Sequence, residues 1–388
     1  MSVKGLVLLG VGDMGLGRAK NAEAQFTMVE PVLKAADIAV GQVEGFYTNR
    51  PVLTAAKSGV ADPIGRAQSG DPKNMAAFRS AGFNLLHLAG NHVWDAGVPA
   101  IEDTINGLHD LGITTFGAGM NIDEARKPAI LERKGTKFGF LNYNCVGPRE
   151  TWADPDKPGC AYVRIITAYE LDHPTPGGPP AIYSFADPVS LKAMVDDILK
   201  LRPLCDVLTV CFHKGIGFSP MKLAMYDHLV SYAAIDAGAD LVLGEHAHIL
   251  KGIEVYKGRA IFHGLGDFAG TPSLPGQPVS GRPLWLAQQR DKRMKDLWGF
   301  EPNPLHPGGP TDIEAKNTVI AKCVIDDGKI THVSYLPCLI NENMQPEILK
   351  RSDPKGQHVY EYMEKISRGA ELNTRFEWDG DEVLIKTK

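Results

Sequence analysis

Two histidines separated by one small residue close an apolar run at Gly244-Glu245-His246-Ala247-His248. The run before them, Ala239-Asp240-Leu241-Val242-Leu243, reads as a short buried strand, so both imidazoles stand where a strand gives way to a loop. Residues two apart on an extended backbone point the same way; in the loop that follows they are free to splay towards two separate cations. Imidazole nitrogen suits zinc, iron and manganese. Upstream, Asp13, Glu44, Asn91, His92 and His213 each lie at or near the end of an apolar segment. Singly, each has an ordinary explanation. Asp13 caps a turn between glycines, Glu44 is a surface acid at a strand terminus, and Gly90-Asn91-His92 makes a good β-turn. A lone strand-end histidine such as His213 is more often no ligand at all. Together, carboxylate, amide and imidazole groups gathered at five strand ends predict a two-metal site. Two cations about 3.5–4 Å apart lower the pKa of a bridging water and clamp the oxyanion that develops on attack. That is the chemistry of hydrolysing a phosphoester, or the carbonyl of an amide or ester.

The elements that would position these groups follow a strand–helix rhythm. Strands are expected at 5–12, 38–43, 83–89, 113–116, 128–133 and 137–143, with helices at 27–37, 72–81 and 97–112. The last helix opens near Gly97 with Pro99 in its first turn, where a missing N–H costs little. Further on come a helix at 187–201, a strand at 205–212, a helix at 219–237, and strands at 240–244, 252–256 and 259–265. Strands at 317–325 and 330–337, a helix near 354–368 and a short C-terminal strand complete the pattern. Such alternation implies an α/β fold, in which ligands gather outside the carboxyl ends of the strands. Asp13, Glu44, Asn91 and His213 each follow a candidate strand by one or two residues, which is that placement. Residues 146–186 and 270–316, rich in proline, read as long irregular insertions. Insertions of this length are usually functional lids or oligomer contacts, so both are candidates for a homodimer contact.

Composition narrows the class. A chain of 388 residues with 44% hydrophobic and 22% charged residues is ordinary for a globular protein. A net charge of -5 offers no global attraction to nucleic acid or anionic membrane. The densest basic cluster, Arg290-Asp291-Lys292-Arg293-Met294-Lys295, reads as a solvated helix face. Six cysteines without CxxC spacing argue against a structural zinc knot and favour a reducing compartment. With no charged leader before the first strand and no stretch of membrane-span length, the expected location is cytoplasmic.

Several motifs carry a resemblance. Gly12-Asp13-Met14-Gly15-Leu16-Gly17-Arg18, Val43-Glu44 and Gly90-Asn91-His92-Val93-Trp94-Asp95-Ala96-Gly97 resemble the CapA family of poly-γ-glutamate capsule proteins. The likeness continues through Phe116-Gly117-Ala118-Gly119-Met120-Asn121, His213-Lys214-Gly215, His246-Ala247-His248 and Gly264-Leu265-Gly266-Asp267-Phe268. It covers residues 5–143 and 203–270. The resemblance implies a calcineurin-like metallophosphoesterase fold, an α/β sandwich of mixed sheets flanked by helices. On this reading residues 1–345 form one domain with two loop insertions, and 346–388 a helical and strand extension.

The resemblance also implies roles. Asp13 and His248 would bind one metal, Glu44 would bridge, and Asn91, His213 and His246 would bind the second. His92 would act as general acid, steadied by Asp95, and Arg18 would pair with an anionic substrate. Two divalent or trivalent ions (Mn, Fe or Zn) are the implied cofactors. There are departures. Phosphoesterases of this fold generally carry a histidine two residues after the first Asp, where this chain has Gly15. Lys214 replaces a tryptophan, and Gly217-Phe218 replace an acidic residue and a tyrosine. His263 and Asp267 stand where the family favours tyrosine and asparagine, adding a second polar handle near the site, either substrate-binding or an extra ligand. Lys214, Arg50 and Arg66 would also favour an anionic substrate if they face the site. The expected function is a soluble dinuclear hydrolase of a small anionic amide, ester or phosphoester, with a metal-bridging hydroxide as nucleophile. The alternative is a non-catalytic accessory of poly-γ-glutamate synthesis.

Overall fold

The strand Leu6–Gly15 is apolar on both faces and buried along almost its whole length, as suits a strand covered on both sides. It is central to the first of two mixed sheets. It pairs in parallel with Ile38–Val43, antiparallel with Asn317–Asp326, and at its far end in parallel with Asp267–Gly270. Leu85–His87 and Thr114–Phe116 continue that sheet on one side; Lys329–Ile340, Glu382–Thr387 and Thr374–Asp379 continue it on the other. The second sheet runs Ile253–Tyr256, Arg259–Phe262, Leu241–Glu245, Val207–His213, Thr136–Asn144 and Ala129–Arg133. This computed structural model describes residues 5–50, 69–170, 181–270, 284–298 and 313–387.

The sheets face each other across Leu8, Val40, Leu85, Phe138, Phe140, Cys211 and Leu243. Phe26, Leu33, Phe78 and Ile101 cover the outer face of the first sheet, and Met194, Ile198, Val230 and Ala234 that of the second. Each buried Val, Leu, Ile, Phe or Met among them contributes about 1.5–3 kcal/mol relative to exposure. The result is the expected α/β sandwich, helix on sheet on sheet on helix.

Local rules explain the helices. Asp187 accepts the Ser190 N–H at 3.0 Å and Pro188 takes the first turn, so Pro188–Leu201 begins where it should. Asp353 and Pro354 open Pro354–Gly369 in the same way.

Other expectations need correction. The interval 146–186 is not irregular throughout: Ile165–Glu170 and Ala181–Ala186 pair as an antiparallel ribbon, while residues 171–180 lie outside the described set. Within 270–316, Leu284–Trp298 is helical, and residues 271–283 and 299–312 lie outside the described set. Proline density marked the flanks of these segments and hid the elements between them. In the basic cluster of that helix Asp291 is buried, so the face is not wholly solvated. The helix expected at 219–237 starts only at Met225, because the preceding residues form a loop that reaches the strand ends. The single C-terminal strand expected is two, Thr374–Asp379 and Glu382–Thr387, joined to the first sheet through Lys329–Ile340. Helix Pro354–Gly369 buries Val359, Tyr362, Met363 and Ile366 in the core between the sheets, so residues after 346 are built into the sandwich.

Candidate metal centre

Parallel strands from both sheets bring their carboxyl ends to one place. Asp13 lies in Leu6–Gly15, where the pairing register shifts between Val11 and Asp13. Gly12 makes this possible: a Cβ there would stand 1.9 Å from the Gly266 carbonyl oxygen. That close crossing lets the Asp13 N–H donate to Gly266 O at 3.1 Å and sets Asp267 opposite Asp13 as its strand partner. His213 and Glu245 end adjacent strands as Cα partners, and His246 and His248 follow.

Asp13 Oδ2 accepts the His246 N–H at 3.0 Å and lies 3.9 Å from His248 Nδ1. His248 Nδ1 is 2.8 Å from Asp267 Oδ1, and its Nε2 is 3.9 Å from Glu44 Oε1. On the other side, His213 Nε2 stands 2.6 Å from Asn91 Oδ1 and 3.2 Å from His246 Nδ1. Two sets of ligand-type groups emerge, Asp13–Glu44–His213 and Asp13–His248–Asp267, the ligand atoms of each lying within 4.8 Å of one another. Asp13 is common to both, where the sequence reading had Glu44 as the bridge. Asp267, expected as a substrate handle or an extra ligand, stands with these ligand-type groups.

The electrostatics call for positive charge. Three carboxylates share a space largely closed to water, and such groups repel unless a cation or proton lies between them. Burial, then the nearness of Glu44, pushes the Asp13 carboxyl well above its usual range. Asp13 Oδ1 and Glu44 Oε2 are buried without a hydrogen-bond partner among the described residues. Burial pushes the His213 and His246 rings down, His246 to about 3, which leaves them neutral as ligands must be. For His248, burial is outweighed by Asp267, Asp13 and Glu44, which lift it to about 10; a ring in that field takes up a proton or stands beside a cation. This donor set of carboxylate, amide and imidazole fits manganese, iron or zinc. His246 and His248 have φ of 93° and 56°, strained values for non-glycine residues.

His92 is held by two acids. Its Nδ1 is 2.5 Å from Asp95 Oδ2 and its Nε2 2.9 Å from Glu44 Oε1. Burial alone would lower its pKa, but Glu44 and Asp95 raise it to about 9, so the ring carries a proton at neutral pH. Burial likewise works to raise Glu44, yet His92, His213 and His248 hold it below the usual carboxylate range.

Other expected residues are not in this cluster. Lys214 is fully buried, its Nζ 3.2 Å from Asp227 Oδ1 and 3.0 Å from His263 Nδ1. His263 Nε2 is 2.9 Å from Glu254 Oε2, which also meets His228 at 3.1 Å. Lys214 and His263 are therefore drawn into a closed internal network and away from substrate, because a buried ammonium needs a carboxylate partner. Arg18 is exposed, with no ion-pair partner among the described residues. Arg50 pairs with Glu102 and Asp103, and Arg66 lies outside the described residues.

Three residues escaped the sequence reading. Phe218 stacks on His248, ring centroids 5.6 Å apart and 22° between planes. His87 and Glu245 lie beneath the centre as polar residues closing apolar strands, a signal that was present in Leu85-Leu86-His87 and Leu243-Gly244-Glu245.

A family model described as bacterial capsule synthesis protein PGA_cap matches residues 7–271. The PGA biosynthesis protein CapA of Bacillus subtilis is 27% identical over 266 residues, 66% of this chain and 61% of that protein. A probable polyglutamine synthesis accessory protein of Mycobacterium tuberculosis is 30% identical over 200 residues, 50% of this chain and 47% of the other. The chain thus spans between about half and three-fifths of these relatives' lengths. Among solved structures, a calcineurin-like phosphoesterase from Bacillus subtilis aligns with 94% of this chain and 97% of its own, at 12% identity and a TM-score of 0.41.

Proposed function

The chain belongs to the PGA_cap family of bacterial capsule synthesis proteins, and from that footing we propose that it is a metal-dependent hydrolase of a small anionic amide, ester or phosphoester. One observation carries the reading: acids and imidazoles from the strand ends of both sheets converge, with Asp13 shared by two ligand sets. Asp13, Glu44 and His213, with Asn91 and His246, would hold one cation; Asp13, His248 and Asp267 would hold the other. When bound, such a pair supplies a water of lowered pKa and a Lewis acid for the developing oxyanion. The chain's own residues do the rest. Asp95 fixes the His92 ring through Nδ1, and the proton on Nε2 is available to a leaving group once substrate separates that atom from Glu44. Phe218 closes one side of His248 against water.

The test is a reconstitution. Protein loaded with Mn, Fe or Zn in turn should hold about two equivalents and turn over one member of a panel of phosphoesters, lactams, γ-glutamyl amides and esters. His92→Gln should keep its metal and lose about 10²–10⁴-fold in kcat. Less than one equivalent after reconstitution, with His246→Ala fully functional, would remove the proposal. A second reading, an accessory of poly-γ-glutamate synthesis, draws support from the names of the relatives. Polymer binding without turnover, in protein that takes up no metal, would favour it.

A further inference from the structure

Two groups beneath the candidate centre have no part in the chemistry above. His87 and Glu245 end strands of opposite sheets, are closed to solvent, and meet across the inter-sheet space with His87 Nε2 3.6 Å from Glu245 Oε1. Among the described residues neither ring nitrogen of His87 nor either carboxyl oxygen of Glu245 has a hydrogen-bond partner. Each buried polar group left so costs on the order of 1–3 kcal/mol, and such groups in a folded protein call for an explanation.

The adjacent strand supplies one. His213 is the Cα partner of Glu245, and the alternation along both strands puts the two side chains on the inter-sheet face, with Cys211 and Leu243 two residues before them. The Nε2 of His213 looks towards Asn91 and His246, the side where a cation would sit. Its Nδ1, the other ring nitrogen, is buried without a hydrogen-bond partner among the described residues and lies 3.9 Å from Asp13 Oδ1. A histidine that ligates through one nitrogen almost always donates its other N–H to a carboxylate, a carbonyl or a water, which fixes both tautomer and ring orientation.

We propose that Glu245, backed by His87, is the positioning group of this centre: its carboxyl takes the Nδ1–H of His213 through one water and holds that ring with Nε2 towards the cation. His87 in turn confines the carboxyl from the opposite sheet, so both sheets contribute to one ligand's orientation. The inference rests on the reading of the strand ends as a cation site, and its test separates the two.

Manganese(II) alone is titrated into metal-free wild type, Glu245→Gln and His87→Asn, with circular dichroism and thermal melting run on each. Glu245→Gln should bind manganese about 10- to 100-fold more weakly. Its metal-free form should melt no lower than wild type, since an unpartnered buried acid has become a neutral amide. His87→Asn should weaken binding in the same direction by a smaller factor. A folded Glu245→Gln with affinity within about twofold of wild type overturns the proposal. If that variant does not fold, unchanged affinity in His87→Asn overturns it. A wild type that takes up no manganese overturns the cation-site reading itself.

Discussion

Position 15 is a glycine, and Asp267 stands beside Asp13 and His248. A third carboxylate would make that side of a cation site harder and more negative, which favours manganese or iron over softer ions. Asp267→Asn, the same shape without the charge, should therefore lower metal content from about two equivalents towards one. Elemental analysis after dialysis reads this directly; two retained equivalents with unaltered affinity would show that Asp267 is no ligand. Asp13, Glu44, Asn91, His92, His213, His246 and His248 were legible because each polar side chain interrupts or ends an apolar run. Asp267, Phe218, His87 and Glu245 were harder, since their importance comes from which neighbour the fold sets beside them.

Two connections between elements decide how well that cluster is held. Gly12 crosses Gly266 so closely that no side chain fits. Gly12→Ala should destabilise by about 1–3 kcal/mol or more, measured by denaturant unfolding, and should loosen metal binding because Asp13 and Asp267 part together. Lys251 is the second. Fully buried, it donates to the carbonyls of Ser219 and Lys222, pinning the loop that carries Phe218 to the segment after His248. Burial lowers its pKa from 10.5 to about 8, outweighing the pull of Asp227. The folded state thus gives up this proton earlier than the unfolded chain, which binds more protons between pH 8 and 10.5. Stability from this group accordingly rises with pH across that window. Unfolding free energies measured from pH 7 to 11 should show that rise in wild type relative to Lys251→Met; parallel profiles would place the ammonium in a solvated setting.

For the molecule as a whole, a cation pair would add to the polar contacts that already join the two sheets at that end, from His246 N–H to Asp13, His213 to Asn91 and His87 to Glu245. Ligand bound to the folded state alone stabilises it by about 2.7 kcal/mol per site at a hundredfold excess over Kd. Chelation should lower the melting temperature of purified protein, and added manganese should restore it in proportion to the logarithm of its concentration. A melting point indifferent to both would mean that the strand ends hold nothing the fold depends on. The sequence by itself determined the layered α/β architecture and the strand-end donors, because apolar periodicity and polar residues at the ends of buried runs are local signals. It also carried the family likeness through the order of its motifs. Only the tertiary structure brought Asp13 into both ligand-type sets, set Asp267 beside Asp13 and His248, and turned Lys214 and His263 inward. It alone set helix Pro354–Gly369 within the core. Those outcomes depend on a bulge at Asp13, a close crossing at Gly12 and the register between strands more than two hundred residues apart, distances at which side-chain type predicts nothing about contact.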